Sequence, residues 1–149
     1  MKGTYCLVLD LPDEARIRVG ALGMQRFPSG TYVYVGSALS GIEQRISRHV
    51  RKAKKKRWHI DYLLDKANLL STIAIPSQSK DTECEVARAL LKSDGAFTVI
   101  SGFGSSDCHC ESHLIHFGGD DPVWVTENVA RTVAMLSCVY PTRTGAGRE

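Results

Sequence analysis

The alternation of apolar and polar positions divides the chain into short strands and amphipathic helices. "GTYCLVLDL" (3–11) alternates, is rich in strand formers and is ended by Pro12 and Asp13. "ARIRVGALG" (15–23) reads as a second strand closing on glycines, "MQRFPSG" (24–30) as a turn, and "TYVYVGS" (31–37) as a third strand. A period of two places Tyr32 and Tyr34 on one face of that strand and Val33 and Val35 on the other. The three segments suit an antiparallel meander.

From Ser40 to about Ala53 the period becomes helical. Ser40 followed by Glu43 has the form of a capping box, and Ile42, Ile46 and Val50 form an apolar stripe beside Arg45, Arg48 and His49. "WHIDYLLDKA" (58–67) predicts a shorter helix and "LLSTIAIP" (69–76) a strand. Asp81 or Thr82 can cap a helix over 81–95, with Glu83 and Glu85 near its positive end and Gly95 past its end. "FTVISGFG" (97–104) predicts a strand running into a glycine-rich loop, and "SHLIHF" (112–117) another strand. A last helix is predicted over 126–140, with a frayed tail over 141–149. The pattern is that of one α+β domain over 1–140: a small, mainly antiparallel sheet with helices packed against it.

Composition sharpens this reading at a few points. With 149 residues and 43% hydrophobic content the chain can bury one core. No segment approaches the ~20 apolar residues of a membrane span. The apolar run at residues 5–11 is short for a signal segment, and five irregularly spaced cysteines do not suggest a disulfide framework. A cytoplasmic protein with reduced thiols and no membrane association is therefore expected.

The net charge is only +3, but it is unevenly placed. "RHVRKAKKKR" (48–57) holds seven of the 19 Lys and Arg residues, leaving twelve elsewhere against 16 acids, a net −4. So dense a local run suits contact with a phosphate backbone through Arg48, His49, Arg51, Lys52, Lys54, Lys55, Lys56 and Arg57. Cations at a helix C-terminus also answer the helix dipole.

Three clusters could carry chemistry. The Gly36-Ser37 turn expected after the tyrosine strand leads to a helix start, where free N–H groups can receive phosphate; Tyr32 and Tyr34 lie near it, and Arg45 and His49 reach the same region. Paired strand tyrosines also serve as half-buried packing. In "HIDY" (59–62), His59 could contact phosphate or relay a proton, and Trp58 could stack on a base or cover the core. "SSDCHCESHLIH" (105–116) holds Cys108, His109, Cys110, His113 and His116. C-x-C is tighter than the usual zinc spacing and no second Cys/His cluster is evident, so a structural Zn²⁺ is not expected. Asp107 and His113 are taken instead as polar residues on a site rim.

"GTY" at 3–5, "YVG" at 34–36 and "RISRH" at 45–49 resemble the signature of GIY-YIG nucleases. Together with "RHVRKAKKKRWHIDYLL", "ECEVA" and "GFGSSDCHCESHL", they resemble the Uri-type branch of that superfamily over roughly residues 1–120. The branch is common in archaea and is sometimes fused to a base-excision DNA glycosylase. The resemblance implies a GIY-YIG-like fold and a metal-dependent endonuclease acting on DNA, in repair or in defence against foreign DNA, associated with DNA-repair enzymes.

The resemblance also implies residue roles. Tyr5 or Tyr34 would be the general base or orient the attacking water, and Arg45 would stabilise charge on the scissile phosphate. Glu83 would hold Mg²⁺ or Mn²⁺, with Glu85 as the alternative ligand. Asp107 and His113 are candidates to replace the asparagine that the wider family uses. Two other classes stay open: a nucleic-acid-binding module that keeps the fold without cleavage, and a zinc-stabilised protein-interaction domain.

Overall fold

The computed structural model describes residues 1–38, 40–106 and 108–139, with side chains described as far as residue 136. The architecture is α+β, as expected. Strands β1 (Gly3–Leu11), β4 (Gly30–Ala38), β5 (Asn68–Pro76) and β6 (Leu114–His116) form an antiparallel sheet in the order β5-β1-β4-β6. Strands β2 (Ala15–Arg18) and β3 (Met24–Phe27) form a separate two-stranded sheet. The helices are α1 (Ile42–Val50), α2 (His59–Leu64), α3 (Asp81–Leu91) and α4 (Pro122–Val139). Among the described residues no helix is long and apolar enough to cross a membrane.

β1 lies inside the sheet, and its alternation supplies both cores. Tyr5, Leu7, Leu9 and Leu11 join Tyr32 and Tyr34 of β4 on one face, beneath α1, α2 and the β2–β3 hairpin. Cys6 and Val8 join Val33 and Val35 on the other face, beneath Val86, Ala87 and Leu90 of α3 and Val125 and Val129 of α4. Burial on both faces explains why β1 is apolar almost throughout.

The expected meander does not form. β1 pairs directly with β4, and the chain between them makes its own hairpin. The segment read as one strand over 15–23 is a four-residue strand and a 3-10 turn (Gly20–Leu22), and residues 24–27 of the expected turn are β3. The Gly36-Ser37 pair lies inside β4 rather than in a turn. Residues 97–104 contribute one isolated bridge, Phe97 to His116, not a strand.

Helix ends also differ from the expectation. α1 begins after Gly41 with no side-chain cap; Glu43 faces the Met1 amine and the Ile42 N–H donates to the Met1 carbonyl. That first N–H is thus already satisfied. α1 stops at Val50, which is 59% exposed and so leaves the apolar stripe. Neither Asp81 nor Thr82 caps α3: the cap position is Lys80, and Thr82 bonds Ser77. Asp107 and the expected tail over 141–149 lie outside the described residues.

Candidate functional site

The glycine of "YVG" has a steric reason. Gly36 is the register partner of Tyr5. A Cβ at Gly36 would sit 2.5 Å from the Tyr5 ring and hydroxyl, and 3.0 Å from Tyr34. Only a residue without a side chain lets the two phenols stand side by side, with ring centroids 6.4 Å apart. Gly104, at φ +71°, brings the loop backbone against the other edge of Tyr34.

The phenols form the floor of a cleft of about 530 Å³. Arg45 enters from α1, Arg57, Trp58 and His59 from the start of α2, Lys80 and Glu83 from α3, and Ser37, Ser40, Gly104 and Ser106 complete the walls. The structure thus brings Tyr5, Tyr34, Arg45 and Glu83 to one site, although they come from four separate segments. Glu85 does not join them. It lines a different groove, with Ile75, Pro76 and Val86, because two helical steps carry it away from the face of Glu83.

The Tyr5 hydroxyl is 2.7 Å from Nε2 of His49. Burial pushes the His49 pKa down to about 4, so the ring is neutral near pH 7; in the tautomer that carries its proton on Nδ1, the phenol donates to Nε2. Its Nδ1 lies 4.0 Å from the Asp61 carboxylate. Burial raises the Tyr5 and Tyr34 pKa values well above the phenolic range; Arg45 opposes this at both. Arg45 donates to the Ser37 carbonyl at 2.9 Å, and its guanidinium lies 4.3 Å from the centroid of Trp58.

Asp61, the acid within "HIDY", organises the basic segment. It is fully buried and accepts a two-pronged bond from Arg48 at 2.9 and 3.0 Å, together with the N–H groups of Arg57 and Trp58. Burial raises its carboxyl, but these donors outweigh it and the net displacement is downward. An acid at the third position of a helix is the sequence signal that marks such a cap.

These contacts redistribute the expected backbone-binding residues. Tyr32 is sealed in the core with its hydroxyl on the Pro28 carbonyl, and His49 is buried and uncharged; neither faces a ligand surface. Arg48 is committed to Asp61 and packs on Trp58. Lys54 donates to the carbonyls of His49 and Arg51 at the end of α1, Lys52 to that of Leu64, and Lys56 pairs with Asp65. Arg51, Lys55 and Arg57 are exposed, and Arg57 reaches the cleft. His59 accepts the Gly104 N–H at Nδ1 at 2.8 Å, which leaves Nε2 as its donor. Lys80 was missed because a single lysine beside a helix start carries no motif.

His113 is not a rim residue. It is buried, with Nδ1 3.1 Å from Oε2 of Glu83 and Nε2 3.7 Å and 3.5 Å from the sulfurs of Cys84 and Cys108. One ligand atom from each of Cys84, Cys108, Cys110 and His113 lies within 4.8 Å of the others, so the group could hold a metal ion. The expectation of no structural zinc rested on spacing along the chain, and the fold nonetheless brings four candidate ligands together. The second contributor that sequence spacing failed to supply is Cys84, delivered by α3.

Fold and site define an α+β domain with a tyrosine-floored, cation-walled cleft beside a three-cysteine, one-histidine cluster. The chain belongs to the family described as a domain of unknown function, DUF123, whose model matches residues 4–135. No curated protein and no solved structure matches it.

Proposed function

We propose that the chain is a metal-dependent endonuclease of the GIY-YIG type that hydrolyses phosphodiester bonds in DNA. The observation that carries this reading is the convergence of Tyr5, Tyr34, Arg45 and Glu83 on one cleft, with Arg57 and Lys80 on its walls. Hydrolysis needs an activated water, charge on the phosphoryl oxygens and a route for the proton.

Arg45, Arg57 and Lys80 offer positive charge to a phosphate, Arg45 with the geometry of a fork. Tyr5 has a proton route ready: as it takes a proton from water, its own passes to Nε2 of His49 across 2.7 Å. The incipient imidazolium is then opposed by Asp61, 4.0 Å from Nδ1. This relay avoids a free phenolate, and Asp61 offsets part of the burial that disfavours the imidazolium. The Nε2–H of His59 can donate to a substrate oxygen.

Glu83 would hold Mg²⁺ or Mn²⁺, since it lines the cleft while His113 engages one of its carboxylate oxygens. One carboxylate suits Mg²⁺, which keeps waters and uses phosphate oxygens. Such an ion supplies charge on the phosphoryl group.

A binding module without cleavage is the second reading. It is favoured by the burial of both phenols, which makes forming a phenolate harder still. The test is incubation with branched and linear DNAs in Mg²⁺ or Mn²⁺, beside Glu83→Ala. Cleavage by the parent chain and not the variant supports the nuclease. Binding without cleavage in either metal replaces it with the module.

A further inference from the structure

We infer that Cys84, Cys108, Cys110 and His113 form a closed tetrahedral Zn²⁺ site that also positions Glu83 in the cleft. Zinc bonds of ~2.3 Å to sulfur and ~2.0–2.1 Å to nitrogen, at tetrahedral angles, place sulfur and nitrogen about 3.6 Å apart. The two S···N separations at His113 Nε2 are 3.7 and 3.5 Å, so His113, Cys84 and Cys108 match that S···N spacing, and all four donor atoms lie within 4.8 Å of one another. Four protein ligands leave no open position, which is the form of a structural rather than a catalytic zinc.

The surroundings fit that ion. Three thiolates, a neutral imidazole and Zn²⁺ leave one net negative charge, and the Arg88 guanidinium lies 3.8 Å from the sulfur of Cys110. The ligands come from α3, from the irregular segment before β6, and from the residue that immediately precedes β6. That segment carries Gly104 and Ser106 into the cleft wall. Among the described residues, its backbone bonds beyond short turns include Gly102 to Glu111 and His113 to Phe103. A cross-link to α3 fixes it where it is needed.

The second consequence rests on the nuclease reading. When Nε2 binds zinc, the ring proton is confined to Nδ1, which must donate to Oε2 of Glu83. Zinc thereby orients the carboxylate that would hold the cleft metal, and two metals of different chemistry share one imidazole–carboxylate link. Glu83 holds the hard ion and the thiols hold the soft one.

The experiment measures zinc in the full chain purified under reducing conditions without chelator, and then the spectrum after exchange with Co²⁺. Stoichiometric zinc and cobalt–thiolate charge-transfer bands are expected. Cys84, Cys108 and Cys110 should react with a thiol reagent only after chelation. Glu83→Gln should keep its zinc, and Cys108→Ser/Cys110→Ser should lose it. A parent chain that is folded yet holds no zinc, or gives tetrahedral Co²⁺ bands without thiolate character, overturns the site. Zinc depletion should lower cleavage in Mg²⁺ by about 10–100-fold while DNA binding persists. Unchanged cleavage after depletion overturns the link to Glu83. Stoichiometric zinc in a chain that cuts no DNA upholds the site and removes the nuclease reading instead.

Discussion

The Tyr5 hydroxyl and Nε2 of His49 share a hydrogen bond of 2.7 Å, inside a site that leaves each residue at most 2% exposed. The resting native state holds the imidazole neutral near pH 7, and this makes stability pH-dependent. Unfolded, His49 gains its proton as pH falls through about 6.5; folded, it does so only near 4. The unfolded chain binds more protons between those values, so stability is retained above the upper one and falls as pH drops through the window. The full loss is on the order of 3 kcal/mol at ~1.4 kcal/mol per pH unit. Burial displaces His59 and His116 in the same direction, so they add to the same slope. Urea unfolding from about pH 7 to about pH 4 should give a flatter profile for His49→Gln than for the parent. Parallel profiles would assign the slope to the other histidines.

Gly36→Ala should cost about 1–3 kcal/mol, because its Cβ meets Tyr5 at 2.5 Å in a packed core. Tyr5→Phe should not rescue it, since the ring carbon is as close as the oxygen. A lowered urea midpoint in both the single and the double variant is the expected result. Full rescue would mean that only the hydroxyl needs the space.

The basic segment separates into structural and exposed cations. Lys54→Ala should destabilise the fold by about 1 kcal/mol, because Lys54 bonds two carbonyls at the end of α1. Replacing Arg51, Lys55 and Arg57 together should leave stability nearly unchanged. If the segment binds a DNA backbone, that triple variant should reduce the salt slope by about 0.9 for each phosphate it no longer neutralises. An unchanged slope would remove these side chains from the interface.

Arg45→Ala should lower single-turnover cleavage by about 10²–10³ while affinity changes far less, if Arg45 stabilises charge that grows in the transition state. Arg45 also bonds Ser37 and packs on Trp58, so Arg45→Lys is the necessary companion. Lysine keeps the charge and loses the fork, and should recover only part of the rate. Tyr5→Phe and Tyr34→Phe keep both rings in place. The larger rate loss is expected at Tyr5, whose proton has an acceptor.

The residues of the cleft were more legible than their connections. Alternation along β4 separates Tyr32 and Tyr34 from Val33 and Val35, and that division is realised in the two cores. The meander was not legible, because period two assigns faces but not partners, and "MQRFPSG" hides a strand behind Pro28 and Gly30. Glu83 and Glu85 are equivalent in composition and opposed in direction, which helical geometry alone resolves. The three-cysteine, one-histidine cluster was not legible because spacing rules seek ligand pairs along the chain. Its fourth member arrives through packing of α3. Asp61 escaped because its role as an acceptor emerges only once Arg48 folds back from α1.

β1 emerges during synthesis long before the strands that flank it. Its two partners, residues 30–38 and 68–76, lie on opposite sides of α1 and α2 along the chain. A ribosome-bound chain that has emerged only as far as the small hairpin therefore displays a nine-residue strand that lacks both of its sheet partners and has almost no polar face. Pairing with β4 satisfies one edge, and the other stays open until residue 76 has left the exit tunnel. This order makes the first strand the segment most exposed to off-pathway association during translation, and the one most dependent on prompt completion of the chain.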